Sequence, residues 1–265
     1  MWAKRYLEIR NGRNKILKKF NSSCRTIQNP FATIHPMNNA VELSNVHFDY
    51  GDEFSLSIQE LKLNKGEMAL ICGGSGSGKS TLLWLIAGLL RAQSGSISVA
   101  GERMDGVSES AADRIRARHI GLVFQTHHLL PEFSAQDNVS LALMAAGEPE
   151  KTHASRAREL LNKLGIERVN VPVANLSVGQ QQRVAVARAI VCKPTIVLAD
   201  EPTASLDEVN ASQAMDLIQQ ACREAGAALL CASHDRAMQS RFERVIQVDS
   251  FVSTPRASTQ SGARS

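Results

Sequence analysis

Residues 73–81 read Gly73-Gly74-Ser75-Gly76-Ser77-Gly78-Lys79-Ser80-Thr81, which fits G-x-x-x-x-G-K-[ST] at every fixed position. A triphosphate needs many donors at close range. Glycines without Cβ let successive backbone N–H groups curl around an anion. Lys79 has the reach for the β- and γ-phosphates, and the Ser80 hydroxyl is a ligand for Mg²⁺. The plainer reading is a flexible turn between a strand and a helix. It is disfavoured because the whole pattern occurs with an apolar run before it and a helical run after it. Further along, Asp200 closes a second apolar run and Glu201 stands beside it. Asp200 suits the carboxylate that holds Mg²⁺. Glu201 suits a general base that polarises an attacking water. Acids followed by Pro202 also suit the first turn of a helix. That alternative weakens once a phosphate loop is present, since a nucleotide site needs a second carboxylate.

These residues need elements to position them. The apolar run 69–72 reads as a buried strand and 81–90 as a helix whose positive end faces the loop. Val41, Leu43, Val46 and Phe48, then Phe54, Leu56 and Ile58, alternate as antiparallel strands of an edge sheet. Tyr50 stands at the turn between them, where it either stacks on a flat ring or closes a hairpin. Further strands are expected at 96–99, 120–124, 195–199, 227–232 and 244–248, and helices at 108–118, 181–191 and 208–225. The stretch 126–175 reads as mostly helical, broken at Pro131, at Gly147-Glu148-Pro149 and at Gly165. Alternating strands and helices give an α/β fold with a mainly parallel core sheet, an antiparallel edge sheet and a helical subdomain at about 126–180. Ligand groups belong at the carboxyl ends of such strands. The loop from Gly73, Gln125, Asp200-Glu201 and His234 each follow an apolar run.

Composition narrows the partners. A chain of 265 residues, 43% hydrophobic and 21% charged, is ordinary for a folded protein with a sizeable core. The longest apolar stretch, near 82–90, is about half of a membrane span, so a membrane role is expected to run through a partner. The net charge of +4 conceals an asymmetry: residues 1–36 hold eight Lys/Arg against Glu8 alone, a balance of +7, so the remainder is −3. An acidic globular part argues against a nucleic-acid partner. The basic segment 1–36 has three readings: sequence upstream of a true start at Met37, an Arg-rich transit peptide, or a basic arm for anionic lipid. The first is preferred because nothing later in the chain needs the segment. The expected organisation is a basic, disordered or non-native extension at 1–36, a nucleotide-binding domain at 37–250 and a disordered tail at 251–265. The five cysteines, at 24, 72, 192, 222 and 231, form no C-x-x-C pair and read as reduced core residues. The adjacent His127 and His128 lack the Cys/Asp/Glu company of a metal site.

The order and spacing of the phosphate loop, Gln125, Leu176-Ser177-Val178-Gly179-Gln180, Leu198-Ala199-Asp200-Glu201-Pro202-Thr203, Ser205-Leu206-Asp207 and His234 resemble the nucleotide-binding subunit of ATP-binding-cassette (ABC) transporters over about residues 40–248. The Leu-Ser-x-Gly-Gln signature is the specific element, because other phosphate-loop ATPases lack it. It also reads as a serine cap on the next helix, and both readings hold together. The resemblance implies Mg-ATP hydrolysis by a homodimer that sandwiches two nucleotides. Each loop, Gly73 to Thr81, would face Ser177, Gly179 and Gln180 of the other copy, with Asp207 in the crossing loop. It also implies that Tyr50 stacks on adenine, Gln125 senses Mg²⁺ and couples to the permease, and His234 contacts the γ-phosphate. Gly74 departs from the family, where proline is common.

The run from Phe124 to Pro131, with Asp137-Asn138-Val139 and Ala145-Ala146-Gly147, is similar to the lipoprotein-releasing (LolD-like) and macrolide-export (MacB-like) ATPases. That implies an ATPase that powers export or release of lipoprotein, lipid or other hydrophobic cargo through separate integral membrane permease subunits. It would sit on the cytoplasmic face of the inner (plasma) membrane, held through the permease. The stretch 126–147 would dock that permease, with Leu129 and Phe133 expected to be exposed. Importer or cell-division ATPases of the same family are the alternative. Soluble repair and translation relatives carry coiled-coil or zinc insertions or a second cassette, which this sequence lacks.

Overall fold

The computed structural model describes residues 38–51 and 54–253. The expectations for residues 1–36 and for 254–265 lie outside the described residues. The described chain belongs to a unit that starts at Asn38.

Strands β1 (Asn39–Asp49) and β2 (Ser55–Asn64) form the hairpin read from the alternation. The alternation in β1 slips phase, with Val41 and Leu43 buried and then Val46 and Phe48. The slip is a bulge: Asn45 adopts a left-handed φ of 50°, and the register against β4 (Ser94–Val99) shifts between Ser44 and His47. Opposite the bulge, Gly95 approaches so closely that a Cβ would lie 2.3 Å from the Asn45 carbonyl oxygen. A short β5 (Glu102–Arg103) completes the antiparallel sheet on one side.

The second sheet is parallel. It contains β3 (Met68–Cys72), β6 (Ile120–Phe124), β7 (Ile196–Asp200), β8 (Ala228–Ser233) and β9 (Arg244–Gln247), in the order β6-β7-β8-β3-β9. Its inner strands are almost wholly buried, as their unbroken apolar sequences require. The register places Phe124 opposite Asp200, Asp200 opposite Ala232, and Cys72 opposite Ser233. One row across the sheet therefore ends in the phosphate loop, Gln125, Asp200-Glu201 and His234.

Helices α1 (Lys79–Ile86), α2 (Glu109–His119), α3 (Ala135–Ala145), α4 (Glu150–Lys163), α5 (Val178–Ile190) and α6 (Glu208–Ala225) connect the strands. Three apolar clusters hold them. The first joins the antiparallel sheet and α1 to one face of the parallel sheet, and the second covers the other face with α6. The third lies among α3, α4 and α5. Helix α5 serves two of them: Val186, Ala189 and Ile190 enter the second cluster, while Val184 and Ala187 enter the third.

Four expectations are corrected. Helix α1 ends at Ile86 rather than near 90, and Gly88 just beyond it adopts a left-handed φ of 63°. Residues 126–134 are not helical; Ser134 caps α3 with a reciprocal Ser134–Asp137 box, which fixes the helix start. Helix α5 starts at Val178 rather than 181, because Ser177 is its cap. The tail does not begin at 251. Phe251 closes a 3₁₀ turn, and β10 (Val252–Ser253) pairs with Leu56 and Ser55 of β2. The cause is apolar: Phe251 and Val252 pack on the first cluster.

Candidate functional site

The loop after β3 has a glycine at its narrowest points. A Cβ on Gly73 would lie 2.4 Å from Ser77 Oγ, and one on Gly78 would lie 2.5 Å from the Phe54 ring. Gly78 also has φ 93°, and as the residue before α1 it leaves the first turn without a side-chain cap. The N–H groups of that turn are thus open to an anion. Gly76 also has a left-handed φ, 76°, while Gly74 neither has one nor is crowded by neighbours, so nothing here demands glycine at the family's proline position. Inside the loop, Lys79 is buried and donates from Nζ to the carbonyls of Gly73 (3.0 Å) and Gly74 (2.8 Å). Ser77 Oγ is buried with no hydrogen-bond partner. A buried ammonium, an orphaned hydroxyl and an uncapped helix end form a donor set suited to phosphate.

The carboxylates stand beside it. Ser80 Oγ donates to Asp200 Oδ1 at 3.0 Å, so the two expected Mg²⁺ ligands already touch. Burial, with the nearby Glu201 charge, raises the Asp200 carboxyl above its usual range despite the Ser80 bond. A cation there would relieve that cost, so the pair fits a metal ion. Glu201 holds a left-handed φ of 47°, uncommon for a residue with a Cβ. Its carboxylate lies 3.7 Å from Lys79 Nζ through one oxygen and 3.0 Å from His234 Nδ1 through the other. Lys79, Glu201 and His234 therefore form one chain of contacts.

Gln125 is exposed at the end of β6, and its backbone N–H donates to the Asp200 carbonyl at 3.1 Å. The two residues after Thr126, His127 and His128, both have left-handed φ, 57° and 46°. Arg188 of α5 holds them, donating to the His127 carbonyl (2.7 Å) and the His128 carbonyl (2.6 Å). Burial lowers the Arg188 guanidinium pKa. Of the apolar residues expected to be exposed near Gln125, Leu129 is half-buried against the third cluster and Phe133 is half-buried too. Neither is an exposed side chain, whereas Met144, farther along the stretch 126–147, is exposed.

Tyr50 is 52% exposed and packs edge-on against Phe48 at 4.7 Å and tilted against Phe54 at 6.0 Å. Since Phe54 also abuts Gly78, an aromatic chain links Tyr50 to the loop. Ser177 accepts from the Gln180 N–H (3.3 Å) while its own N–H donates to Gln180 Oε1 (3.0 Å). Gly179 has open space around it, and Ser177 and Gly179 are exposed. Gln182, buried on α5, donates to the Pro202 carbonyl at 3.4 Å. Asp207 caps α6, accepting from the Asn210 N–H at 3.0 Å.

A cavity of about 440 Å³ is lined by Ser75, Gly76, Ser77, Gly78, Lys79, Ser80, Thr81, Glu201 and His234, together with Trp84. Ser177, Gly179, Gln180, Asp207 and Tyr50 are not among its lining residues. Sequence reasoning missed Trp84, Arg188 and Gln182. Only Trp84 carried a signal, an aromatic inside an otherwise aliphatic helix. Burial pushes the Cys192 thiol up to about 11 and Cys222 to about 12, as unreactive core thiols.

Among the described residues no helix is long and apolar enough to cross a membrane. The family model described as ABC transporter matches residues 56–204. The chain is 43% identical over 214 residues to lipoprotein-releasing system ATP-binding protein LolD 1 of Caulobacter vibrioides, covering 78% of this chain and 92% of that one. It is 43% identical to LolD 2 of Rhodospirillum rubrum, covering 78% and 93%. Among solved structures, the dimeric post-hydrolysis state of the ATP-binding cassette MJ0796 bound to ADP and Pi is similar, with TM-score 0.65, 32% identity and coverage of 79% and 95%. So is cbiO1 from Clostridium perfringens, with TM-score 0.70, 30% identity and coverage of 80% and 86%.

Proposed function

The chain belongs to the ABC transporter ATPase family, and from that premise we propose that it is the ATP-hydrolysing subunit of a lipoprotein-releasing transporter. The observation that carries the enzymatic half is the contact chain Lys79–Glu201–His234 beside the Ser80–Asp200 pair. The likeness to LolD proteins over most of both chains supports the cargo.

In this reading Tyr50 stacks on adenine and residues Gly73 to Thr81 enclose the phosphates of ATP. Lys79 exchanges the Gly73 and Gly74 carbonyls for phosphate oxygens. Ser80, Asp200 and Gln125 would hold Mg²⁺, which would supply neutralisation of phosphate charge. Glu201 takes the proton of a water as its oxygen attacks the γ-phosphorus, and the bond to the ADP oxygen breaks. His234 fixes the Glu201 carboxylate and faces the γ-phosphate. Ser177, Gly179 and Gln180 of a second copy close the site, with Asp207 in the loop between copies. Gln125 passes closure to integral permease subunits at the inner membrane, and the cassette is peripheral through them.

The test is reconstitution with candidate permease subunits in proteoliposomes loaded with a lipoprotein. Release should require ATP and fail with Glu201→Gln. ATP hydrolysis without any lipoprotein release, but with transport of another cargo, would overturn the cargo assignment and leave the ATPase standing.

A further inference from the structure

Resting on the reading that two copies close on ATP, we propose that Trp84 anchors that contact and is covered by the second copy of this chain. Trp84 is on α1, in the turn after Ser80, and it lines the same cavity as Lys79, Glu201 and His234. Its neighbours Leu83 and Leu85 are buried in the first cluster, so the helix spends its other faces on the core. Trp84 keeps 37% of its surface exposed. A tryptophan is a costly residue to leave wet beside a phosphate site, and a buried aromatic is the usual energetic centre of a protein–protein contact.

The other side of the contact is present on the same chain. Val178, 59% exposed, lies inside the Ser177–Gln180 signature, and Val209, 66% exposed, lies two residues past Asp207. These are the two segments that the sandwich would bring from the second copy to the loop. One copy alone thus leaves apolar side chains bare on both halves of the contact. Covering Trp84 would also shut water out of the cavity at the face beside α1, where the γ-phosphate chemistry needs a dry site.

The alternative occupant is the nucleotide itself, with the indole against a ring or ribose. The two differ in their dependence on protein concentration. The chain has two tryptophans, so full-length protein carrying Trp2→Phe and Glu201→Gln reports Trp84 alone. Acrylamide quenching of its fluorescence is read with Mg-ATP over a range of protein concentrations, beside sedimentation of the same samples. Loss of quenching in step with the dimer fraction is the expected result. Quenching unchanged in samples that sediment as dimers overturns the proposal, and so does quenching lost while the protein is still monomeric. Absence of any dimer would overturn the sandwich reading first, and sedimentation reports that independently. In addition, Trp84→Ala in the Glu201→Gln protein should weaken ATP-driven dimerisation by about 30-fold, with Trp84→Phe recovering part of it. A thermal melt checks that the variants fold.

Discussion

Asp200 carries the plainest tension between stability and function. Its carboxyl is raised by burial, so the charged form is disfavoured in the folded chain. A raised carboxylate destabilises the fold above its folded pKa, and the penalty vanishes below the unfolded value. Asp200→Asn keeps a partner for Ser80 and removes the buried charge. It should therefore melt at a higher temperature than the parent at neutral pH, with the difference closing in acid, while Mg-dependent hydrolysis is lost. A variant that melts lower at neutral pH contradicts the burial argument. Arg188 gives the complementary case. It holds two left-handed residues through their carbonyls. Arg188→Met should lower stability by about 1–3 kcal/mol in urea unfolding, and it should reduce permease-stimulated turnover more than basal turnover, because it loosens the segment after Gln125.

At the scale of elements, the proposed function has one residue of the signature helix serve structure and chemistry together. Ser177 caps α5 reciprocally with Gln180, yet it is exposed beside the open Gly179. Ser177→Ala should cost about 1 kcal/mol of stability through the lost cap. Ser177→Asp should retain the cap and the melting temperature but abolish ATP-driven dimerisation, because its carboxylate would meet a triphosphate. Full dimerisation of Ser177→Asp would reduce Ser177 to a cap. Much of this was legible in the sequence. The inner parallel strands are unbroken apolar runs, and a run of that kind ending in a polar residue marks both the strand and the tip that carries the candidate site. The start of α5 was missed because Ser177-Val178-Gly179 has the composition of a loop, and only the reciprocal bonds to Gln180 reveal a helix start. The end of the domain was missed because Phe251 and Val252 are only two apolar residues ahead of a polar stretch, and β10 exists only through pairing with Leu56 and Ser55. Arg188 was invisible because its partners are carbonyls sixty residues away, which leave no trace in side-chain chemistry.

For the whole molecule, the residues proposed to bind and cleave ATP all belong to the described residues, from Tyr50 to His234. Deleting residues 1–36 should leave basal ATPase activity unchanged, and loss of folding or turnover would make that segment part of the domain. In a single copy no residue of the Ser177–Gln180 segment lines the loop cavity, so in the proposed function a second copy completes each site. Sedimentation of Glu201→Gln with Mg-ATP, paired with nucleotide counting, tests that requirement most directly. The mass should double from 28.8 kDa, with one ATP retained per chain and hydrolysis reduced by about 10²–10⁴-fold. A protein that stays monomeric when saturated with ATP, or that hydrolyses at the parent rate, would contradict it.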